Sequence, residues 1–344
     1  MKLKNSKVGV LLVNLGTPDS PSVPDVRKYL REFLMDGRVI DIPWIQRFFL
    51  VNGIIAPFRA PSSAHGYSQL WTEEGSPLKV YGFQLLELMK KALGDDYCVA
   101  FAMRYQNPSI RKALDELKGE PLSELIVVPF YPQYASASTG STVEKVMLEL
   151  KRWEVIPQVK FVGQFHDHPL FIKAFAAIGR EHLKKSNYDH IIFSYHGLPE
   201  RQILKASCQS CCKLGDCCNA YHGRNQNCYR AQCFDTTRLL VRELGLKEGQ
   251  YTTSFQSRLG KDPWIKPYTD EKIIELAKQG KKRVLTFSPA FVADCLETTV
   301  EIGMEYQKLF IDNGGQHWQL VESLNVRPEW VECLKTIIKE TEKR

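Results

Sequence analysis

The sequence predicts an α/β protein with two Rossmann-like, doubly wound domains, each built on a four-stranded parallel sheet flanked by helices. Eight short apolar runs bounded by turn residues recur along the chain. They are nearly continuous rather than alternating, as expected of strands covered on both faces. Amphipathic helical patterns separate most of these runs, and strand–helix alternation is typical of parallel sheets. The chain has 344 residues, which suggests two domains at roughly 150 residues each.

The predicted elements follow directly from these runs. The strands are expected at residues 8–16, 97–105, 124–134, 159–165, 190–197, 251–258, 282–291 and 317–324. The clearest helical patterns cover residues 77–93, 141–153, 169–185 and 230–244. Because the pattern restarts near residue 160, we expect a first domain over 1–160 and a second over 161–325. A last helix in 326–344 is expected to pack back on the first domain.

Composition and charge exclude several classes of protein. The chain carries 46 Lys and Arg against 39 Asp and Glu, a net charge of +7 without a dense basic run, so we expect no nucleic-acid partner. No uninterrupted apolar stretch reaches about 18 residues, which argues against a membrane span. The apolar run 8–16 lacks the small-residue cleavage site of a signal peptide. We therefore expect a cytoplasmic protein, whose ten cysteines do not form disulfides.

Polar residues follow six of the predicted strands, which is where ligands bind in open α/β sheets. A cleft between the two domains is therefore the expected ligand site.

His196 stands at one of these strand ends, because the segment Gly197–Pro199 stops the strand directly after it. A neutral imidazole can accept a proton or bind a metal ion near neutral pH. A lone histidine is, however, equally often an ordinary core or surface residue.

A row of acidic residues is predicted on a helix over 293–312. Asp294, Glu297, Glu301 and Glu305 follow one another at spacings of three, four and four residues, which places them on one helical face. One interpretation is an ordinary solvated acidic face. The other is a path for a divalent cation or for protons, which the many apolar neighbours of the row favour.

The segment 44–61, WIQRFFLVNGIIAPFRAP, is rich in Phe and Ile but is interrupted by Gly and Pro. One interpretation is a core helix followed by a loop. The other is an apolar lip over a flat ligand, in peripheral contact with a bilayer.

Several motifs in this chain resemble those of a known family. They are VNLGTP (13–18), FLMDGRVID (33–41), YSQLWTEEGSPL (67–78), MRYQNP (103–108), PFYPQYASASTGS (129–141), SYHGLPER (194–201), FQSRLGKDPWIKPYT (255–269) and FSPAFVADCLETTVEIGMEY (287–306). Together, and in this order over nearly the whole chain, they resemble ferrochelatase. The resemblance implies a lyase that inserts ferrous iron into protoporphyrin IX and forms protohaem, the terminal step of haem biosynthesis.

The resemblance also implies roles for individual residues. His196 and Glu297 would be the catalytic pair that faces the pyrrole nitrogens or the iron, and Glu301 and Glu305 would continue the metal path. The residues implied to contact the porphyrin are Arg38, Arg104, Tyr131, Ser136 and Ser138.

Three alternatives remain open at this stage. The substrate could be coproporphyrin, the enzyme could be a related chelatase for an earlier tetrapyrrole, or the protein could be a haem or iron carrier. The apolar segment 44–61 favours an apolar porphyrin over a tetrapyrrole with many carboxylates.

Seven of the ten cysteines lie close together in the chain, with the spacing C-x2-C-C-x4-C-C-x9-C-x4-C. They are Cys208, Cys211, Cys212, Cys217, Cys218, Cys228 and Cys233. Disulfides, a structural four-cysteine zinc site and a four-thiolate iron–sulfur cluster are all compatible with this spacing. The segment 205–233 also resembles an insertion of some bacterial ferrochelatases that carry a 2Fe–2S cluster. We expect four ligands: one from 208–212, at least one of Cys217 and Cys218, then Cys228, with Cys233 as a further candidate.

Overall fold

The computed structural model describes residues 6–208, 211–258, 260 and 262–344. In this part of the chain the predicted strands form two parallel four-stranded sheets, which confirms the predicted fold class. The strands are β1 (Lys7–Gly16), β2 (Tyr97–Tyr105), β3 (Leu122–Pro129), β4 (Gln158–Phe161), β5 (His190–His196), β6 (Tyr251–Gln256), β7 (Arg283–Phe287) and β8 (His317–Leu320). Their order is β2-β1-β3-β4 in one sheet and β6-β5-β7-β8 in the other.

Helices connect the strands in both sheets. The α-helices are α1 (Val23–Leu34), α2 (Trp44–Phe49), α3 (Ala56–Leu70), α4 (Pro77–Leu93), α5 (Ile110–Lys118), α6 (Ser141–Leu150), α7 (Pro169–Lys185), α8 (Glu200–Lys205), α9 (Tyr229–Leu244), α10 (Thr269–Lys278), α11 (Tyr306–Asp312) and α12 (Pro328–Lys343). Three π-helical segments cover Leu50–Ile55, Ser136–Gly140 and Leu296–Glu305. Proline marks the start of three helices, α4, α7 and α12. Its missing N–H causes no loss there, because the N–H groups of the first turn have no partner within the helix.

The chain divides into two compact units. Unit 1 comprises 1–131, 136–164 and 325–344, and unit 2 comprises 132–135 and 165–324. In unit 1, helix α12 packs against α4, β3 and β4. Its Trp330 is fully buried, and the Phe130 ring lies 6.1 Å from it, edge-on.

Each sheet is buried because its strands are apolar on both faces. In unit 1, Leu11 and Val127 of the sheet pack with Leu114 of α5 and Val146 of α6. In unit 2, Ile192 and Val284 pack with Ile273 of α10 and with Phe310 and Trp318. The central strands β1 and β5 therefore hold their carboxyl ends in fixed positions, which is what a site at those ends requires.

The apolar segment 44–61 is helical rather than partly looped. It runs through α2, the π-helical segment and the start of α3, and it includes Pro61 inside α3. Its large side chains are not core residues: Trp44 is 60% exposed, Phe49 68% and Phe58 77%. The expectation of a helix followed by a loop is therefore wrong for this segment. Within the described residues, no helix combines the length and hydropathy needed to cross a membrane.

Candidate active site

His196 is the last residue of β5, the strand that lies between β6 and β7. Its Nδ1 lies 2.6 Å from the carbonyl oxygen of Gly197. A carbonyl only accepts hydrogen bonds, so this contact assigns the ring hydrogen to Nδ1 and leaves Nε2 as a base or metal ligand. The rings of Trp264 and Phe291 flank the imidazole, with centroids 6.5 and 6.4 Å away.

The acidic helix begins later than the sequence indicates. The predicted helix over 293–312 is a π-helix over Leu296–Glu305 that continues as α11. Cys295 is extended, with φ −150°, and its N–H is bonded to the Thr298 hydroxyl at 3.0 Å. The chain therefore becomes helical only after Cys295. Asp294 precedes the helix, where its carboxylate accepts a hydrogen bond from the Ser323 amide at 3.1 Å. The π-helical turn is wider than an α-turn and is frequent at functional sites.

Glu301 is the most constrained carboxylate of this helix. Ser257 Oγ lies 2.9 and 2.8 Å from its two oxygens, and the Tyr306 hydroxyl donates to it at 3.1 Å. Burial raises the pKa of the Glu301 carboxyl, and the neighbouring Glu297 carboxylate adds to this, whereas Ser257, His196 and Tyr306 act in the opposite direction. His196 and Glu297 are thus both close enough to Glu301 to affect its charge.

Gln256, the last residue of β6, connects the π-helix Leu296–Glu305 to β5. Gln256 donates a hydrogen bond through Nε2 to the carbonyl of Glu297 at 3.2 Å, and its Oε1 accepts one from Ser194 of β5 at 2.8 Å. Strand β5 and the π-helix are therefore held together through one side chain. Glu305, at the far end of the π-helix, is exposed.

Sequence reasoning missed three residues of this site. Ser257 and Tyr306 hold Glu301, and Tyr229 donates a hydrogen bond from its hydroxyl to the His196 carbonyl at 2.8 Å. Ser257 stands in the polar segment after β6, so its position at a strand end was the only available signal. Nothing in the sequence pairs Tyr229 with His196.

The residues predicted to contact a porphyrin lie in unit 1. Arg38 donates to Ser136 Oγ at 3.0 Å and pairs with Glu144. Arg104 is bound more tightly, to Asp36 at 2.5 Å and to Ser141 Oγ at 2.7 Å. The buried hydroxyl of Tyr131 has no hydrogen-bond partner among the described residues. Ser138 lies in the π-helical segment Ser136–Gly140.

The cysteine-rich segment of unit 2 places four thiols in two neighbouring pairs, and residues 209–210 within it lie outside the described residues. Cys212 neighbours Cys217, and Cys218 neighbours Cys228. The hydrogen bond from Cys218 lowers the pKa of the Cys228 thiol, and the backbone amides at the start of α9 lower it as well. Burial acts in the opposite direction and raises this pKa. Cys233 is fully buried within α9, and burial raises the pKa of its thiol. Cys208 is exposed.

Arginines of α9 fix the loop that carries these thiols. Arg230 donates to the carbonyl of Gly215 at 3.1 Å, and Arg238 donates to that of Cys218 at 3.0 Å. Asn225 donates to the carbonyl of Cys217 at 2.9 Å. The loop therefore depends on polar contacts rather than on a core of its own.

Comparison with known proteins decides the family. The sequence profile of ferrochelatase matches residues 7–342. The chain belongs to the ferrochelatase family. Ferrochelatases insert ferrous iron into a porphyrin in haem synthesis, so the protein is a metal-chelating lyase, and the family inferred from the motifs is confirmed. A ferrochelatase of Legionella pneumophila strain Lens is 47% identical over 332 residues, which cover 96% of this chain and 98% of the relative. One from Coxiella burnetii strain Dugway is 44% identical, covering 98% and 94%.

Solved structures support the ferrochelatase fold. SirB from Bacillus subtilis with Fe3+ aligns with a TM-score of 0.56 and 12% sequence identity, covering 97% of this chain and 95% of SirB. A sirohydrochlorin chelatase SirB in complex with cobalt aligns with a TM-score of 0.54 and 11% identity. At this identity the likeness concerns the fold alone.

Proposed function

We propose that this ferrochelatase inserts ferrous iron into protoporphyrin IX and that His196 and Glu297 perform the reaction. The observation that supports the proposal is that two hydrogen bonds of Gln256 join β5, which ends at His196, to the backbone of Glu297. The next residue, Ser257, holds the carboxylate of Glu301. β5 and β7 are adjacent parallel strands, so the segments that follow their carboxyl ends meet at one edge of the sheet.

The reaction requires a base and a metal ligand at the porphyrin nitrogens. Two pyrrole N–H bonds break, two protons leave, and the ring nitrogens bind Fe²⁺ in their place. With its hydrogen on Nδ1, His196 accepts one proton at Nε2. The carboxylates of Glu297 and Glu301 suit a hard divalent ion and can receive the second proton. Glu305, which is exposed, would be the first carboxylate of the row that an incoming ion meets.

In unit 1 we assign porphyrin contacts to Arg38, Tyr131, Ser136 and Ser138. Arg38 is partly exposed and can exchange its pair with Glu144 for a propionate, which a guanidinium binds in the same way. Tyr131 follows the end of β3, and its buried hydroxyl lies beside Thr142. Arg104 acts indirectly, because its guanidinium is occupied by Asp36 and Ser141.

The test is a metal-insertion assay in which the porphyrin absorption bands are followed with Fe²⁺, or with Zn²⁺ as a surrogate. We expect turnover with protoporphyrin IX and its loss in His196→Ala and Glu297→Gln, whereas the exposed His65→Ala retains it. Faster turnover with coproporphyrin would overturn the substrate assignment. Haem binding without insertion by the wild-type protein would favour a carrier.

We further propose that the segment 205–233 holds a 2Fe–2S cluster through two cysteine pairs, Cys212 with Cys217 and Cys218 with Cys228. In a 2Fe–2S cluster each iron binds two thiolates, so each of the two cysteine pairs would bind one iron. Backbone N–H groups near Cys212, Cys217 and Cys228 support the proposal, because hydrogen bonds to sulfur tune such clusters. One zinc ion held by the same four thiols is the alternative.

Visible absorption, electron paramagnetic resonance of the reduced protein and elemental analysis distinguish the two metals. Iron and inorganic sulfide in equal amounts are expected from anaerobically purified protein. Replacing any of the four ligands with serine should remove the cluster, whereas Cys211→Ser and Cys208→Ser should retain it. A colourless protein with one zinc ion per chain would exclude the cluster.

We also propose that the protein is cytoplasmic and contacts the membrane peripherally through residues 44–61. The exposed Trp44, Phe49 and Phe58 are the residue types that insert at a bilayer interface. Liposome flotation is expected to show binding that is lost when these three become serine. The matched control replaces Met147, Val155 and Ile156, which are exposed elsewhere in unit 1. Equal flotation of both variants would contradict the contact.

A further inference from the structure

A second group of ligand-type side chains converges in unit 2, outside the iron-insertion site. His166 and Asp167 precede α7, and Asp235 lies on α9. Nε2 of His166 is 3.6 Å from Asp235 Oδ2, and its Nδ1 is 3.9 Å from Asp167 Oδ1. One ligand atom from each of the three residues lies within 4.8 Å of the other two.

The imidazole of His166 is buried without a hydrogen-bond partner. Its side chain is 0% exposed, and neither ring nitrogen has a partner among the described residues. A buried polar group without a hydrogen-bond partner destabilises the fold, so such groups are normally satisfied by protein, water or an ion. The nearest polar atoms to the two ring nitrogens are the carboxylate oxygens of Asp235 and Asp167, and an ion bound between these groups would satisfy the imidazole.

The separations between His166 and the carboxylates match a metal ion better than a proton. A hydrogen bond between nitrogen and oxygen spans about 2.7–3.2 Å, so 3.6 and 3.9 Å are too long for one. A cation with metal–ligand bonds of about 2.0–2.2 Å holds neighbouring ligand atoms about 3.0–3.6 Å apart. The two distances are measured from different ring nitrogens. With a single ligand atom from each residue, the three atoms lie within 4.8 Å of one another, so the carboxylates must move inward to bind one ion.

Neighbouring residues hold the carboxylate and the imidazole in place. Arg238 donates to Asp235 Oδ1 at 2.9 Å, which leaves Oδ2 directed at His166. Thr236 Oγ1 donates to the His166 carbonyl at 3.1 Å. The ring of Tyr221 lies edge-on to the imidazole, with centroids 5.0 Å apart. Such outer contacts are the usual support of metal-ligating carboxylates and histidines.

We propose that His166, through one ring nitrogen, and Asp167 and Asp235, through their carboxylates, bind a divalent transition-metal ion separate from the substrate iron. One imidazole and two carboxylates suit Mn²⁺, Fe²⁺ or Zn²⁺. The ion connects the chain before α7 to α9 and, through Tyr221 and Arg238, supports the cysteine-rich segment. Its role is structural.

The experiment titrates the full-length His196→Ala/Glu297→Gln/Glu301→Gln protein with Mn²⁺ and counts bound ions by electron paramagnetic resonance. This background removes the substrate site, and Mn²⁺ has little affinity for thiolates. We expect one bound ion with nuclear modulation from an imidazole nitrogen. Asp235→Asn in the same background should weaken binding by about 10–100-fold, while Asp312→Asn, an exposed aspartate on α11, should leave it unchanged.

Two results would overturn the proposal: no Mn²⁺ bound at millimolar concentration, or equal affinity in the Asp235→Asn and Asp312→Asn proteins. If Asp235→Asn does not fold, Asp167→Asn serves instead, because that side chain is 53% exposed. Added Mn²⁺ should also raise the unfolding temperature of the parent protein and not that of the ligand variant.

Discussion

The hydroxyl of Tyr229 donates a hydrogen bond to the backbone carbonyl of His196, with the two oxygens 2.8 Å apart. Tyr229 is the first residue of α9 and directly follows Cys228. Tyr229, through this hydrogen bond, therefore links a proposed cluster ligand to the proposed catalytic histidine. The cysteine-rich segment is in this way connected to the active site.

Tyr229→Phe should lower kcat for metal insertion severalfold. The substitution removes one hydrogen bond worth about 1 kcal/mol and releases the backbone that orients the imidazole, while the KM for porphyrin and the metal content stay the same. Steady-state kinetics across pH measures the effect, because a displaced imidazole also alters the pH profile. The control is Tyr195→Phe, which removes the hydrogen bond of another buried tyrosine, to Thr237 at 2.9 Å. Equal kcat in the two variants would contradict the prediction.

Ser257→Ala should raise the KM for the metal ion about fivefold, which corresponds to about 1 kcal/mol. The Ser257 hydroxyl lies within 2.9 Å of both oxygens of Glu301, and without it the carboxylate loses its fixed orientation. The KM for porphyrin is the internal control, since Ser257 holds only the acidic residue. The assay varies Zn²⁺ at saturating porphyrin. An unchanged KM for Zn²⁺ would show that Glu301 does not act on the metal.

The sequence predicted the sheets well because each strand is a buried apolar run whose limits are set by turn residues. β2 and helices α4 and α7 were predicted to the residue. His196 could be placed at a strand end for the same reason: Gly197 and Pro199 stop β5 directly after it.

Other features were not predictable, because they depend on contacts between distant parts of the chain. The acidic helix starts at Leu296 because Cys295 is held extended by Thr298, and no periodicity reveals that contact. Tyr229, 33 residues after His196, gives no sequence signal of its contact. The segment 44–61 contains Gly and Pro, which suggested a loop, but the chain stays helical through it even though Pro61 lies inside α3, where proline is normally disfavoured.

Removing the metal of the proposed cluster should make residues 211–228 sensitive to proteases. The loop is held by polar contacts to Arg230, Arg238 and Asn225, and it has little apolar surface to replace the metal. Limited proteolysis followed by mass spectrometry, before and after chelation, locates the cuts. Cleavage should be concentrated in this loop, with α7 and β5 protected. Identical digestion patterns would indicate that the loop does not need a metal.

The stability of unit 2 should depend on pH through His190, the first residue of β5. His190 is buried, and its Nε2 lies 2.8 Å from Thr252 Oγ1. The pKa of His190 is lowered to about 4, mainly by burial and also by the charges of Lys281 and Lys272, while Glu275 acts in the opposite direction. Because the pKa is lower in the folded protein than in the unfolded chain, the unfolded chain binds more protons between about pH 6.5 and 4. Stability is therefore complete above this window and is lost as the pH falls through it.

His190→Asn should reduce this loss by about 1–2 kcal/mol between pH 7.5 and pH 5, because asparagine does not titrate. Urea unfolding at the two pH values measures the change, and comparing the differences cancels any effect of the substitution that is independent of pH. His65→Asn, which replaces an exposed histidine, should show the pH dependence of the wild type. If the His190→Asn protein lost as much stability as the wild type, His190 would have to be protonated within the folded sheet, which its burial beside Lys281 opposes.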